Sequence, residues 1–121
     1  MSKITLEDVE EWIKDQIPLS EAEADRKYHK DYDDGSAQRE LRRLRVIKEL
    51  LCAGANIINY GNGYVDIEGD NSIFRFYLLK QRWSSAKSIR SSWKYKKRYR
   101  CKSPTDFVNR YVKDGNEDAS I

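Results

Sequence analysis

Metal-binding and nucleophilic side chains are scarce in this chain. Its 121 residues include a single histidine, His29, and two cysteines, Cys52 and Cys101. With no second histidine and no Cys-x-x-Cys pair, a zinc site lacks its ligands. Nothing in the sequence pairs either thiol with a base for nucleophilic work. Two cysteines are also too few for the disulfide framework of a small secreted domain. They read as small apolar filler in a reducing, cytoplasmic protein. No stretch of about 18 apolar residues exists to span a membrane, and the opening MSKITLEDVEEW lacks the apolar region of a secretory signal. The expectation is a soluble intracellular domain.

Acidic residues occur, but not in catalytic patterns. Asp31, Asp33, Asp34 and Gly35 suggest a calcium loop, yet Lys30 stands where the first acidic ligand is needed. Asp66 and Glu68 alternate on a strand as the two acids of a metal-dependent nuclease would. Asp70 follows where such a site wants a lysine, so ordinary outward strand polarity is the simpler reading. Gly61-Asn62-Gly63 does not open a helix and is no phosphate loop. The sequence therefore points to a non-enzymatic protein without a metal or cofactor.

Charge is plentiful, and it is unevenly distributed. Residues 1–40 hold 6 Lys+Arg against 12 Asp+Glu, a net −6. Residues 41–114 hold 17 against 6, a net +11, and the tail 115–121 adds −2. A division of this kind suits a basic surface facing an anionic partner, or two halves that attract each other within one fold.

Hydrophobic periodicity divides the chain into a helical part, a strand-rich part and a last helix. At 121 residues it is the size of one domain. Thr5 and Asp8 form a capping box ahead of Leu6, Val9, Trp12 and Ile13, giving a helix over 6–16 that Pro18 stops. Ser20 and Glu23 cap a second helix over 21–32, and Asp33-Asp34-Gly35 turns the chain. Ala37, Leu41, Leu44, Ile47, Leu50 and Leu51 make the clearest apolar stripe, after a Ser36 cap and before Gly54, the natural left-handed terminator.

From residue 55 the period changes to two. Strands are expected over 56–60 and 64–68 around a three-residue loop, over 73–83, and over 93–102, with a flexible serine-rich loop at 84–92. Ser103 and Pro104 then start a helix that packs through Phe107, Val108, Tyr111 and Val112 and ends at Gly115, before a frayed tail. The expected fold is α+β: about three N-terminal helices (1–54), an antiparallel meander of about four strands (55–102) and a C-terminal helix (103–115).

Within the meander, residues 80–102 contain ten Lys+Arg and no acid, interleaved with Trp83, Trp93, Tyr95 and Tyr99. Read as a strand, 93–102 puts Lys94, Lys96, Arg98, Arg100 and Lys102 on one face at a spacing of about 6.8 Å. Trp93, Tyr95, Lys97, Tyr99 and Cys101 fall on the other. Such a row repels itself unless carboxylates or a polyanion neutralise it. Together with Lys80, Arg82, Lys87 and Arg90 from the preceding arm, it could track the phosphates of DNA or RNA, while Trp83 and Trp93 are candidates for stacking on bases, with burial the favoured alternative for each. The alternatives are an edge strand whose lysines discourage aggregation and a docking face for an acidic protein. Arg39, Arg42, Arg43 and Arg45 add basic character to the third helix. The acidic first helices, through Glu7, Glu10, Glu11, Asp25 and Asp31, offer a contact surface for a basic protein partner.

Overall fold

The computed structural model describes residues 3–26, 36–90 and 92–113. The expected Asp33-Asp34-Gly35 turn, His29, Asp31 and the tail after Lys113 lie outside these residues.

Helix α1 spans Leu6–Arg26. It opens on the expected capping box, in which the Asp8 amide donates to Thr5 Oγ1 at 3.1 Å and the Thr5 amide to Asp8 Oδ2 at 3.2 Å. The expected stop at Pro18 does not occur, and α1 runs on into the second anticipated helix as far as Arg26, with 27–32 outside the described residues. Pro18 is exposed, so the carbonyl deprived of its partner is left to solvent. Val9, fully buried, and Ile13, partly buried, hold the helix on the core on the N-terminal side of the proline. Gln16 Nε2 adds a hydrogen bond to the Ala37 carbonyl at 3.2 Å.

Helix α2 spans Ser36–Cys52 and buries Leu41, Leu44, Ile47 and Leu50, as its stripe requires. It ends in a Schellman motif. The Ala55 amide returns to the Leu50 carbonyl, and the Gly54 amide to that of Leu51. Gly54 has φ +101°, a backbone region that glycine enters without strain.

The sheet that follows is a five-stranded antiparallel meander in the order β1-β2-β3-β4-β5. Its strands are Ile57–Gly61, Tyr64–Glu68, Ile73–Tyr77, Arg82–Ala86 and Tyr99–Arg100. The β1–β2 loop is two residues rather than three, because Gly61 still pairs with Tyr64. Asn62 and Gly63, at φ +52° and +84°, give the turn a twist that matches a hairpin. The single strand expected over 73–83 is two strands. Leu78-Leu79-Lys80-Gln81 reverses the chain without glycine or proline, and Gln81 takes the left-handed conformation at φ +49°.

Register divides the sheet into two faces. Val65, Ile67, Phe74, Phe76 and Trp83 face the helices and build the core with Val9, Leu44, Ile47 and Leu50. The C-terminal helix, Pro104–Phe107 widening into a π-helical segment Val108–Lys113, completes it. Ser103 caps this helix as expected, accepting from the Asp106 amide at 3.0 Å. Phe107 lies within 5.0–5.8 Å of Phe74, Phe76 and Trp83, ring centre to ring centre.

Candidate nucleic-acid interface

The second face of the sheet carries Tyr64, Asp66, Arg75, Tyr77, Arg82, Ser84 and Arg100. It is not the plain solvated face that alternation implies. Asp66 is 0% exposed and Ser84 is likewise buried. The cover comes from the segment after β4. Trp93–Tyr95 forms a single 3-10 turn, and Trp93 lies over the Arg75 guanidinium at 4.5 Å. Ser84 Oγ donates to the Lys97 carbonyl at 2.8 Å, and Trp93 Nε1 to that of Ile89 at 3.0 Å.

Beneath this cover Arg75 is clamped from every side. Its Nε donates to Asp66 Oδ1 at 2.8 Å and its terminal nitrogen to Oδ2 at 3.2 Å, while Asn59 Nδ2 donates to Oδ2 at 3.1 Å. Tyr64 lies 3.9 Å from the guanidinium on another side. Asp66 is thus a structural anion whose acceptors are engaged by Arg75 and Asn59.

The strand expected over 93–102 is therefore corrected. Only Tyr99 and Arg100 pair, with Trp83 and Arg82. The segment before them trades ladder hydrogen bonds for burial of Trp93 on the sheet. The strict alternation that aligned Lys94, Lys96, Arg98, Arg100 and Lys102 does not survive, although all five side chains are exposed. Lys97, assigned to the opposite face, is exposed as well. The flexible loop expected over 84–92 begins later, because 84–86 belong to β4. Lys87 and Arg90 are exposed beyond it.

The stacking role given to the tryptophans is closed off in this conformation. Trp83 is 1% exposed, at the centre of a cluster with Phe74, Tyr99, Phe107 and Tyr111. Trp93 is 8% exposed and committed to Arg75. Burial of both tryptophans is the favoured expectation and holds, but nothing in the sequence shows that Trp93 packs on the second face of the sheet.

Cations nevertheless converge at the β4–β5 edge. Arg82 and Arg100 are direct cross-strand partners on one face. Such an arrangement of like charges is unfavourable when nothing neutralises it. The Arg98 guanidinium lies over the Tyr77 ring, 3.8 Å from its centre. Lys80 projects from the turn before β4. Ion pairs among the described residues include Arg43–Glu40, Lys48–Glu10, Arg75–Asp66 and Arg110–Asp106. None of these four involves Arg82, Arg98 or Arg100. Two of them join the acidic part to the basic part, Arg43 with Glu40 at 3.6 Å and Lys48 with Glu10 at 3.8 Å. No group of three or more His, Cys, Asp and Glu able to hold a metal ion occurs among the described residues. No described helix is long and apolar enough to cross a membrane.

Comparison with known proteins returns no matching family model, no matching curated protein and no matching solved structure.

Proposed function

We propose that this chain is a small, non-enzymatic nucleic-acid-binding accessory protein. Lys80, Arg82, Lys87, Arg90, Lys94, Lys96, Arg98, Arg100 and Lys102 contact phosphates of DNA or RNA. The observation that carries the reading is the Arg82–Arg100 pairing within an acid-free, largely exposed cationic segment. A fold that sets guanidinium groups side by side, with no ion pair to Arg82 or Arg100 among the described residues, gains when a polyanion supplies the missing charge and releases its condensed counterions. The contacts are phosphate-directed, because Trp83 and Trp93 are spent on packing.

The test is fluorescence anisotropy with duplex and single-stranded oligonucleotides. The triple substitution Lys96→Glu, Arg98→Glu, Arg100→Glu abolishes binding while circular dichroism and Tm report a folded domain. Binding undiminished by the triple substitution refutes the assignment.

A second reading is a protein-interaction module, an adaptor or an inhibitor of a larger complex. It is favoured by helix α1, which exposes Leu6, Trp12, Ile17 and Leu19 beside Glu7, Glu10, Glu11 and Asp15. Recovery of one stoichiometric basic protein in a pull-down after nuclease treatment, with no oligonucleotide binding by the purified chain, selects this reading.

A further inference from the structure

One cavity joins basic residues that are distant in sequence. It encloses about 290 Å³ where the Asn62-Gly63 hairpin tip, the turn at 78–81 and Arg98 approach Arg43 of α2. Arg43, Lys80 and Arg98 line it, and no carboxylate does. Its walls are tied together, because the Leu78 amide donates to the Gly63 carbonyl at 3.0 Å. Arg98 is fixed by its stack on Tyr77. A planar cation held in this way loses little freedom when its in-plane donors take a ligand.

Arg43 brings a third cation to the cavity from α2. One terminal nitrogen reaches Glu40 at 3.6 Å, a long contact. The same Glu40 oxygen accepts from the Tyr60 hydroxyl at 2.5 Å, so the carboxylate is shared. Arg43 Nε is buried and makes no hydrogen bond. It lies under the hairpin tip, 3.9 Å from where a side chain on Gly63 would begin. The guanidinium of Arg43 nevertheless brings positive charge to the cavity wall beside Lys80 and Arg98, and an oxyanion held there gains from all three.

We infer that this cavity binds a phosphate dianion, and that the phosphate is the 5′ terminal monoester of a nucleic-acid strand. A monoester carries about −1.5 to −2 charge at neutral pH, against −1 for an internal diester, and so suits three cations better. A recess walled by two turns also accepts a strand end more readily than a backbone that must continue through it. The inference rests on the nucleic-acid reading for the source of the phosphate; free inorganic phosphate has the same chemistry.

The experiment uses the full chain, isotope-labelled for amide NMR, and three probes: inorganic phosphate, a 5′-phosphorylated single strand and the same strand with a 5′ hydroxyl. The expected result is that phosphate shifts the amides of Asn62, Gly63, Lys80, Gln81 and Arg98. The phosphorylated strand binds roughly tenfold more tightly than the hydroxyl strand. Arg43→Gln and, separately, the exposed-turn substitution Lys80→Gln bring that ratio towards one. Because Lys80 lies on the surface, its variant stays informative if Arg43→Gln perturbs α2. Equal affinity for the two strands, with no response of these amides to phosphate, overturns the site and leaves the nucleic-acid reading standing. A response to phosphate with no binding of either strand upholds the cavity as an anion site and overturns the nucleic-acid reading. A response to phosphate with equal strand affinities overturns the terminal-phosphate assignment alone.

Discussion

Arg75 Nε donates to Asp66 Oδ1 at 2.8 Å, and the Asp66 side chain has no exposure to solvent. This pair joins β2 to β3 at the middle of the sheet's second face, and the rings of Tyr64 and Trp93 lie against its cation. Removing one partner strands the other charge in a dry site. Asp66→Ala and Arg75→Ala are each expected to cost about 3–5 kcal/mol. Arg75→Lys keeps the charge but loses the fork and the stacking, so it falls between these and the unaltered protein. Urea denaturation measures all three. A loss below about 1 kcal/mol, the scale of a surface ion pair, would refute the account of this face.

The Tyr60–Glu40 hydrogen bond ties β1 to α2. Burial foremost, then the hydrogen bond and the negative charge of Glu40, raise the Tyr60 hydroxyl above its ordinary value of 10.0. The folded chain therefore holds this proton more tightly than the unfolded chain. The resulting stabilisation is complete below pH 10.0 and is lost as pH climbs through and beyond that value. Tyr60→Phe should cost roughly 1–2 kcal/mol near neutrality. It should also flatten the alkaline limb of the stability profile, as measured by denaturant midpoints across pH. An unchanged alkaline limb would show that this hydroxyl is not what titrates.

How much of this was legible in the sequence varied with how local the cause was. Helix α2 was readable because its apolar stripe and Gly54 state both its face and its end. The Thr5–Asp8 box and the Ser103 cap were readable for the same reason. Pro18 misled because a helix anchored by Val9 and Ile13 can tolerate one lost bond on its exposed side. The turn at 78–81 was hidden because Gln81 adopts a conformation that glycine or asparagine usually announces. The folded-back layer was hidden more deeply. Only the tertiary contacts of Trp93 with Arg75, and of Ser84 with the Lys97 carbonyl, explain why 93–98 leaves the sheet. Charge, by contrast, is a property of composition, so the acid-free character of 80–102 was visible even though its strand geometry was not.

The two cysteines should differ in reactivity. Burial, followed by the charges of Asp106 and Glu49, pushes the Cys101 thiol up from 9.0 to about 11. Its sulfur lies 3.4 Å from the Gln81 carbonyl, to which the thiol donates. Cys52 is exposed at the end of α2. Because the thiolate is the attacking species, iodoacetamide at mildly alkaline pH should modify Cys52 well before Cys101 in the native protein. Denaturant should erase the difference. Peptide mass spectrometry over a time course reads both rates, and faster labelling of Cys101 would contradict the packing of β5 against the turn at 78–81.

The proposed interface also fixes a salt response. If phosphates are met by discrete cations, log affinity falls linearly with log salt, with a slope of about −0.9 per contact on duplex and about −0.7 on single strands. Neutralising one contacting cation then reduces the magnitude of the slope by about one. Lys96→Gln, Arg98→Gln and Arg100→Gln together should reduce it by roughly 2–3 on duplex. Glu7→Gln with Glu10→Gln, on the exposed side of α1, should leave it unchanged, because that surface makes no phosphate contact. Anisotropy titrations at several salt concentrations give each slope directly. A slope that is flat in the unaltered protein, or one that the α1 substitutions move as much as the arginine and lysine substitutions do, would mean that the cations of 80–102 are not where the polyanion sits.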